Sequence, residues 1–291
     1  MKCDFEVWPG PMEGVGRDEF VRIASSLRLI ERWMTPFIRI TGSMPSVGRI
    51  FAGIASYLES GVPVTVQLMG KDAAAVGACA RILDGHPAVS GINLNLGCPS
   101  ARVVSHGAGG GLLRKPETIA GFCQRVAAEL PGGRLSVKLR AGFSSSADMD
   151  IFLPALAASG CVDKIFFHYR TVGEGYSDLP LPERDSRIAR AVVLSSGVPV
   201  IANGDIHSVD EAERVVAATG AAGVMIARPW MKDPFLLRRF RGDAPEAEEG
   251  RELFFGRIRA AGLSGGPLKE IARMLWGADS ARFRRLLAEN G

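Results

Sequence analysis

A chain of 291 residues, 47% apolar and 23% charged, can bury a sizeable core and lacks the polar bias of a disordered or collagen-like sequence. Its net charge of +4 is too mild to announce nucleic-acid binding alone. From Lys232 to the end, however, 12 Lys and Arg oppose 9 Asp and Glu, which places +3 of the total in the tail.

The five cysteines (Cys3, Cys79, Cys98, Cys123 and Cys161) are odd in number and form no Cys-x-x-Cys pair, and no histidine stands at ligand spacing. That pattern argues against a disulfide framework and against a zinc or other metal site, and for reduced thiols. MKCDFEVWPGPMEG lacks the apolar centre of a signal peptide, and no apolar run approaches membrane-spanning length. A soluble, cytoplasmic monomer with no membrane partner is expected.

In chain order, weak strands are expected at 5–8 and 37–40. Six stronger ones follow: VTVQLMG, GINLNLG, LSVKLRAGF, KIFFHYRT, PVIANGD and GVMIARP. Amphipathic stretches of helical length separate them, among them DAAAVGACARILDGH and DEAERVVAATG. Eight strand–helix units predict an α/β fold, a (β/α)8 TIM barrel, in preference to an open sheet, whose Gly-x-Gly-x-x-Gly turn after the first strand is missing. After Asp233-Pro234 the alternation stops. GDAPEAEEG reads as a linker, and helical patterns at 251–261, 268–276 and 281–289 predict a small C-terminal all-helical domain. The expected division is a barrel over 1–240 and a helical unit over 245–291.

Barrel chemistry sits at the C-terminal ends of the strands. Polar residues cluster there: Glu13 after strand one, Gln67 on strand three, Asn93, Asn95 and Cys98 on and after strand four, and Lys138 and Arg140 on strand five. His168 and Arg170 follow on strand six, Asn203-Gly204-Asp205 after strand seven, and Arg228 after strand eight. Each alone could be a satisfied core group, but so many together are costly to bury without a ligand. Loops after the last two strands commonly hold phosphate, and IANGDIHS with Ser208 as a helix cap and MIARPW with Pro229 in a first turn suit that corner. An amide and a cation at Gln67 and Lys138 suit the polar edge of a flavin.

In this order and spacing, PMEGV, VQLMG, INLNLGCPS, HGAGGGLL, VKLRAGF, HYRT, VIANGDIHS and MIARPW resemble the motifs of tRNA-dihydrouridine synthases, closest to the bacterial C-type branch through PMEGV. The resemblance implies an FMN enzyme that uses NADPH to reduce the C5–C6 double bond of a uridine in tRNA. It implies that Pro11, Met12 and Glu13 line the flavin, that Gln67 and Lys138 hold its ring, and that His168 and Arg170 stand beside it. Asn203, Gly204, Asp205, Ala227 and Arg228 would surround its phosphate. Cys98 would protonate C5, since an ordinary thiol is mostly protonated at neutral pH. Asn95, Arg102, Arg140, Lys269 and Arg273 would meet the RNA, whose target base must be flipped out, and HGAGGGLL would act as a mobile lid.

The chain departs from the family pattern at Tyr169, Ala227, Pro36 and Ala101-Arg102-Val103-Val104. A reductase of free pyrimidines, an enzyme acting on rRNA and a non-catalytic RNA-binding homologue are the alternatives.

Overall fold

The computed structural model describes residues 3–12, 18–42 and 45–289. Its strands are β1 (Glu6–Pro9), β2 (Trp33–Met34), β3 (Ile38–Arg39), β4 (Val64–Met69), β5 (Val89–Leu96), β6 (Leu135–Arg140), β7 (Lys164–His168), β8 (Val200–Asn203) and β9 (Gly223–Ile226). All pairings are parallel, in the order β1-β9-β8-β7-β6-β5-β4-β2, with β3 also on β4. β1 and β2 lie side by side, so the sheet is a nearly closed barrel of eight positions with helices outside it. Strands buried on both faces must be apolar almost throughout, and β4 is buried at every residue.

The second barrel strand is the least regular. The expected strand at 37–40 is only the latter part of it, since β2 and β3 are two pieces of one rung on β4. Met34 pairs with Thr65 and Ile38 with Leu68, so the β2–β3 side carries one residue more than β4 over that interval. Pro36 has no N–H to give a ladder. Thr35 repairs the break: its N–H donates to Thr65 O, and its hydroxyl accepts the N–H of Gln67 at 3.1 Å. The surplus pushes Pro36 and Phe37 into the barrel mouth.

Inside the barrel, Trp8, Met34, Phe166, Ile201 and Met225 fill one layer, with Trp8 and Phe166 edge to face at 5.0 Å. Below this layer the Glu6 carboxylate accepts from Trp8 Nε1, Lys164 Nζ and Arg32, closing the N-terminal end with a satisfied polar cluster.

The C-terminal helices are Ala247–Ala260, Gly265–Trp276 and Ala281–Glu289. The expected linker is partly helical, because Ala247 already opens the first of them. These helices share one hydrophobic cluster with the barrel. Phe254 meets Phe20 of the helix Asp18–Ser26 at 5.2 Å, and Phe20 in turn meets Trp230 at 5.6 Å.

Phe254 is fully buried at this junction. Phe254→Ala should therefore lower the unfolding free energy by about 3–5 kcal/mol in a denaturant titration, within a single transition. A separate early transition for the tail would contradict a shared core.

Candidate active site

The C-terminal ends of the strands surround a cavity of about 300 Å³. On the β4–β6 side its lining residues Gln67 and Asn95 belong to a chain of amides that continues behind the wall. Ladder register sets Gln67 beside Asn93, and Asn93 beside Ser136. Gln67 Nε2 donates to Asn93 Oδ1 at 2.8 Å, and Asn93 Nδ2 donates to Ser136 Oγ at 2.9 Å. Asn95 Nδ2 donates to Gln67 Oε1 at 2.9 Å, and Asn95 Oδ1 accepts the N–H groups of Gly97 and Cys98 at 3.2 and 3.0 Å. Buried amides are affordable here because each finds its partners.

Cys98 is half-buried and lines the cavity. Its carbonyl accepts the N–H of Gly110. The expectation of a glycine lid is corrected at this point: Gly109–Arg114 is a 3-10 turn, and Gly109, Gly110 and Gly111 are buried behind the thiol. A Cβ on Gly110 would lie 2.9 Å from Cys98 O and 2.7 Å from Val172, and one on Gly109 would lie 3.1 Å from the Cys98 Cβ. The glycines let backbone press against backbone there. Val103, in the stretch that departs from the family pattern, packs into the same wall.

Lys138 faces the cavity with no hydrogen bond or ion pair recorded among the described residues. Burial and then the charge of Arg140 lower its pKa to about 8, against an opposing pull from Cys98. His168 is held well below its ordinary value of 6.5 by burial and then by Arg140, Lys138, Arg170 and Arg228. Its Nδ1 accepts the N–H of Arg170, which places the proton of the neutral ring on Nε2. Arg140 is committed to carbonyls of Gly97, Thr171 and Gly175, so it ties the loop after β7 to the Cys98 turn.

Asp205 organises the last corner. Its carboxylate accepts from Tyr169 Oη at 2.7 Å, Arg170 Nη2 at 2.5 Å and Arg228 Nη2 at 2.9 Å. Burial alone would raise its pKa, but the bonds from Arg170 and Tyr169 hold it below the usual carboxylate range. The Tyr169 hydroxyl is pushed up by burial and by Asp205. Gly204 has φ +116°, and a Cβ there would strike the Tyr169 ring at 2.6 Å. Ser208 caps the following helix Val209–Thr219, as expected.

Of the residues singled out in the sequence, Pro11, Met12, Gln67, Asn95, Cys98, Lys138, Arg140, His168, Asn203, Gly204, Asp205, Ala227 and Arg228 do line this one cavity. Arg170 lies behind its wall, almost fully buried. Glu13 falls outside the described residues. Arg102 is exposed on the short helix Ala101–Ser105. Arg273 pairs with Glu270 on the surface of the helix Gly265–Trp276, and Lys269 lines a separate cavity of about 390 Å³ with Phe255 and Phe283. Sequence reasoning missed Tyr176, which lines the mouth at 59% exposure with the Arg140 and Arg228 guanidinium carbons 5.2 and 4.9 Å from its ring centre. A lone aromatic in GEGYSD carries no periodicity that could have marked it.

Comparison with known proteins gives a consistent result. The sequence profile of the dihydrouridine synthase (Dus) family matches residues 11–257. A tRNA-dihydrouridine(16) synthase of Cupriavidus necator is 35% identical over 243 residues, covering 80% of this chain and 72% of that protein. One of Ralstonia nicotianae, with the same name, is 34% identical over 247 residues, covering 80% and 71%. In fold, a variant of NCR from Zymomonas mobilis superposes with a TM-score of 0.55 over 82% of this chain and 87% of that one, at 15% identity.

The neutral His168 has a pH signature. Below about pH 6.5 the unfolded chain binds a proton that the folded ring refuses, so stability should fall as pH drops through that value. Ring-nitrogen NMR should place the His168 midpoint well below 6.5. A midpoint at or above that value would contradict the burial argument.

Proposed function

The chain belongs to the dihydrouridine synthase family, and on that premise we propose that it is an FMN-dependent tRNA-dihydrouridine synthase that reduces the C5–C6 double bond of a uridine in tRNA, with NADPH as reductant. The observation that carries this reading is Lys138, a cation with no ion pair among the described residues, sharing one cavity with Cys98.

The residues present fit FMN. Lys138 offers a positive charge to the polar edge of the ring, and His168 offers Nε2–H. The loops after β8 and β9, with Arg228, form a corner suited to the phosphate, and the cavity volume lies at the lower end of the range for cofactor pockets. When bound, FMN supplies the hydride that adds to C6 of the uracil. Cys98 Sγ holds the proton that C5 then requires, and the Asn95-held turn aims it into the mouth. Lys138 stabilises negative charge developing nearby. The barrel and the helical tail beyond residue 245 act as catalytic and RNA-binding units, with Arg102, Lys269 and Arg273 on the RNA.

The names of several relatives support position 16 of tRNA as the target.

Purified protein should carry FMN and oxidise NADPH in the presence of tRNA lacking dihydrouridine. Cys98→Ala should keep its flavin and lose roughly 10²–10⁴-fold in kcat. Full activity in that variant would overturn the assignment. Dihydrouridine mapping of RNA from cells without the gene should show one position lost from tRNA, and loss from rRNA would point to the other substrate.

The Lys138 cation of the free protein is lost as pH rises through about 8. FMN binding to the flavin-free protein should therefore weaken above that pH, and Lys138→Met should bind FMN more weakly and lose that pH-dependent decline. A decline that persists in Lys138→Met would assign it elsewhere.

A further inference from the structure

Three amides and a hydroxyl connect the interior of the sheet to the Cys98 turn, and their hydrogen bonds run in one direction. At one end Ser136 Oγ donates to the carbonyl of Ile92 at 3.2 Å, a group that can only accept. At the other end the N–H groups of Gly97 and Cys98 can only donate, and Asn95 Oδ1 takes both. Between them each amide has one orientation that satisfies both neighbours. Turning Gln67 over would set its NH2 against Asn95 Nδ2 and its oxygen against Asn93 Oδ1. Gln67 and Asn93 are fully buried, so no bulk water relieves such a clash. The second hydrogen of Gln67 Nε2 is turned to Met34 Sδ at 3.6 Å, a weak acceptor that cannot fix the amide by itself.

We infer that Asn93 is a positioning residue for Cys98. It acts through Gln67 and Asn95, fixing the orientation of both amides so that the Asn95 oxygen holds the Cys98 backbone. Asn93 does not line the cavity. The consequence for turnover rests on Cys98 being the proton donor, as proposed above, whereas the consequence for the turn does not.

Three proteins test this by amide hydrogen exchange without RNA: the wild type, Asn93→Leu and Asn93→Asp. Leu matches the volume but offers Gln67 no acceptor, so the Gly97 and Cys98 N–H groups should exchange about tenfold faster, while those of Phe166 and Phe167 in β7 stay as in the wild type. Asp still accepts from Gln67 and should restore wild-type protection, which a role in packing alone does not require. Unchanged exchange at Gly97 and Cys98 in Asn93→Leu, or equal loss in Asn93→Asp, would overturn the inference. If Asn93→Leu fails to fold, Ser136→Ala frees the far end of the chain instead and should raise the same exchange about threefold, and no change there would equally overturn it. Turnover of tRNA should drop in Asn93→Leu and recover in Asn93→Asp. A wild-type protein inactive on tRNA would count against the proposed function and leave the exchange result standing.

Discussion

The parallel ladder from β4 to β9, in constant register beyond an irregularity at Val64–Thr65, is the constraint on which the site depends. It sets Gln67 level with Asn93, Asn95 with Lys138, Arg140 with His168, and His168 with Asn203. Side chains alternate along a strand, so a slip of one residue would turn every mouth-facing group toward the helices. The apolar residues between them prevent that slip. Val66, Leu68, Ile92, Leu94, Val137 and Leu139 are at most 1% exposed and would have to enter the polar mouth. Hydrophobic burial is thus what holds the polar groups in register.

Charge in the mouth is unbalanced by design of the same strands. Arg140, Lys138, Arg170 and Arg228 surround His168, and Asp205 is the one acid among the described residues lining the cavity. Asp205 is already shared by Arg170, Arg228 and Tyr169. Arg140 is spent on carbonyls, so Lys138, together with the half-exposed Arg228, offers positive charge to a ligand in the mouth. Lys138 is half-buried and has no ion pair among the described residues, so desolvation and the Arg140 charge both disfavour its ammonium, and its lowered pKa expresses that cost.

Two of the family departures acquire a physical meaning. Tyr169 does not intrude on the cavity. It lies under Gly204 and donates to Asp205, tightening the loop that bears the proposed phosphate corner. Val103 is part of the apolar wall behind Cys98 rather than a group presented to substrate. Pro36, by contrast, reaches the mouth itself, because the second barrel strand carries a surplus residue there.

The barrel was legible in the sequence because strands buried on both faces must be continuous apolar runs, and amphipathic helices must separate them. The polar residues at strand ends were legible for the same reason, since each breaks an apolar run. Three things were decided by tertiary structure alone. Tyr176 reaches the mouth from an irregular loop, and nothing local distinguishes it from any exposed aromatic. The HGAGGG glycines looked like freedom of motion, yet Gly109, Gly110 and Gly111 exist for close contact, and which groups they would touch is a long-range fact. The single direction of the Ser136–Asn93–Gln67–Asn95 chain depends on register across three strands and on partners fixed at both ends. Sequence sets which groups need partners, but only the folded sheet decides which partner each one meets.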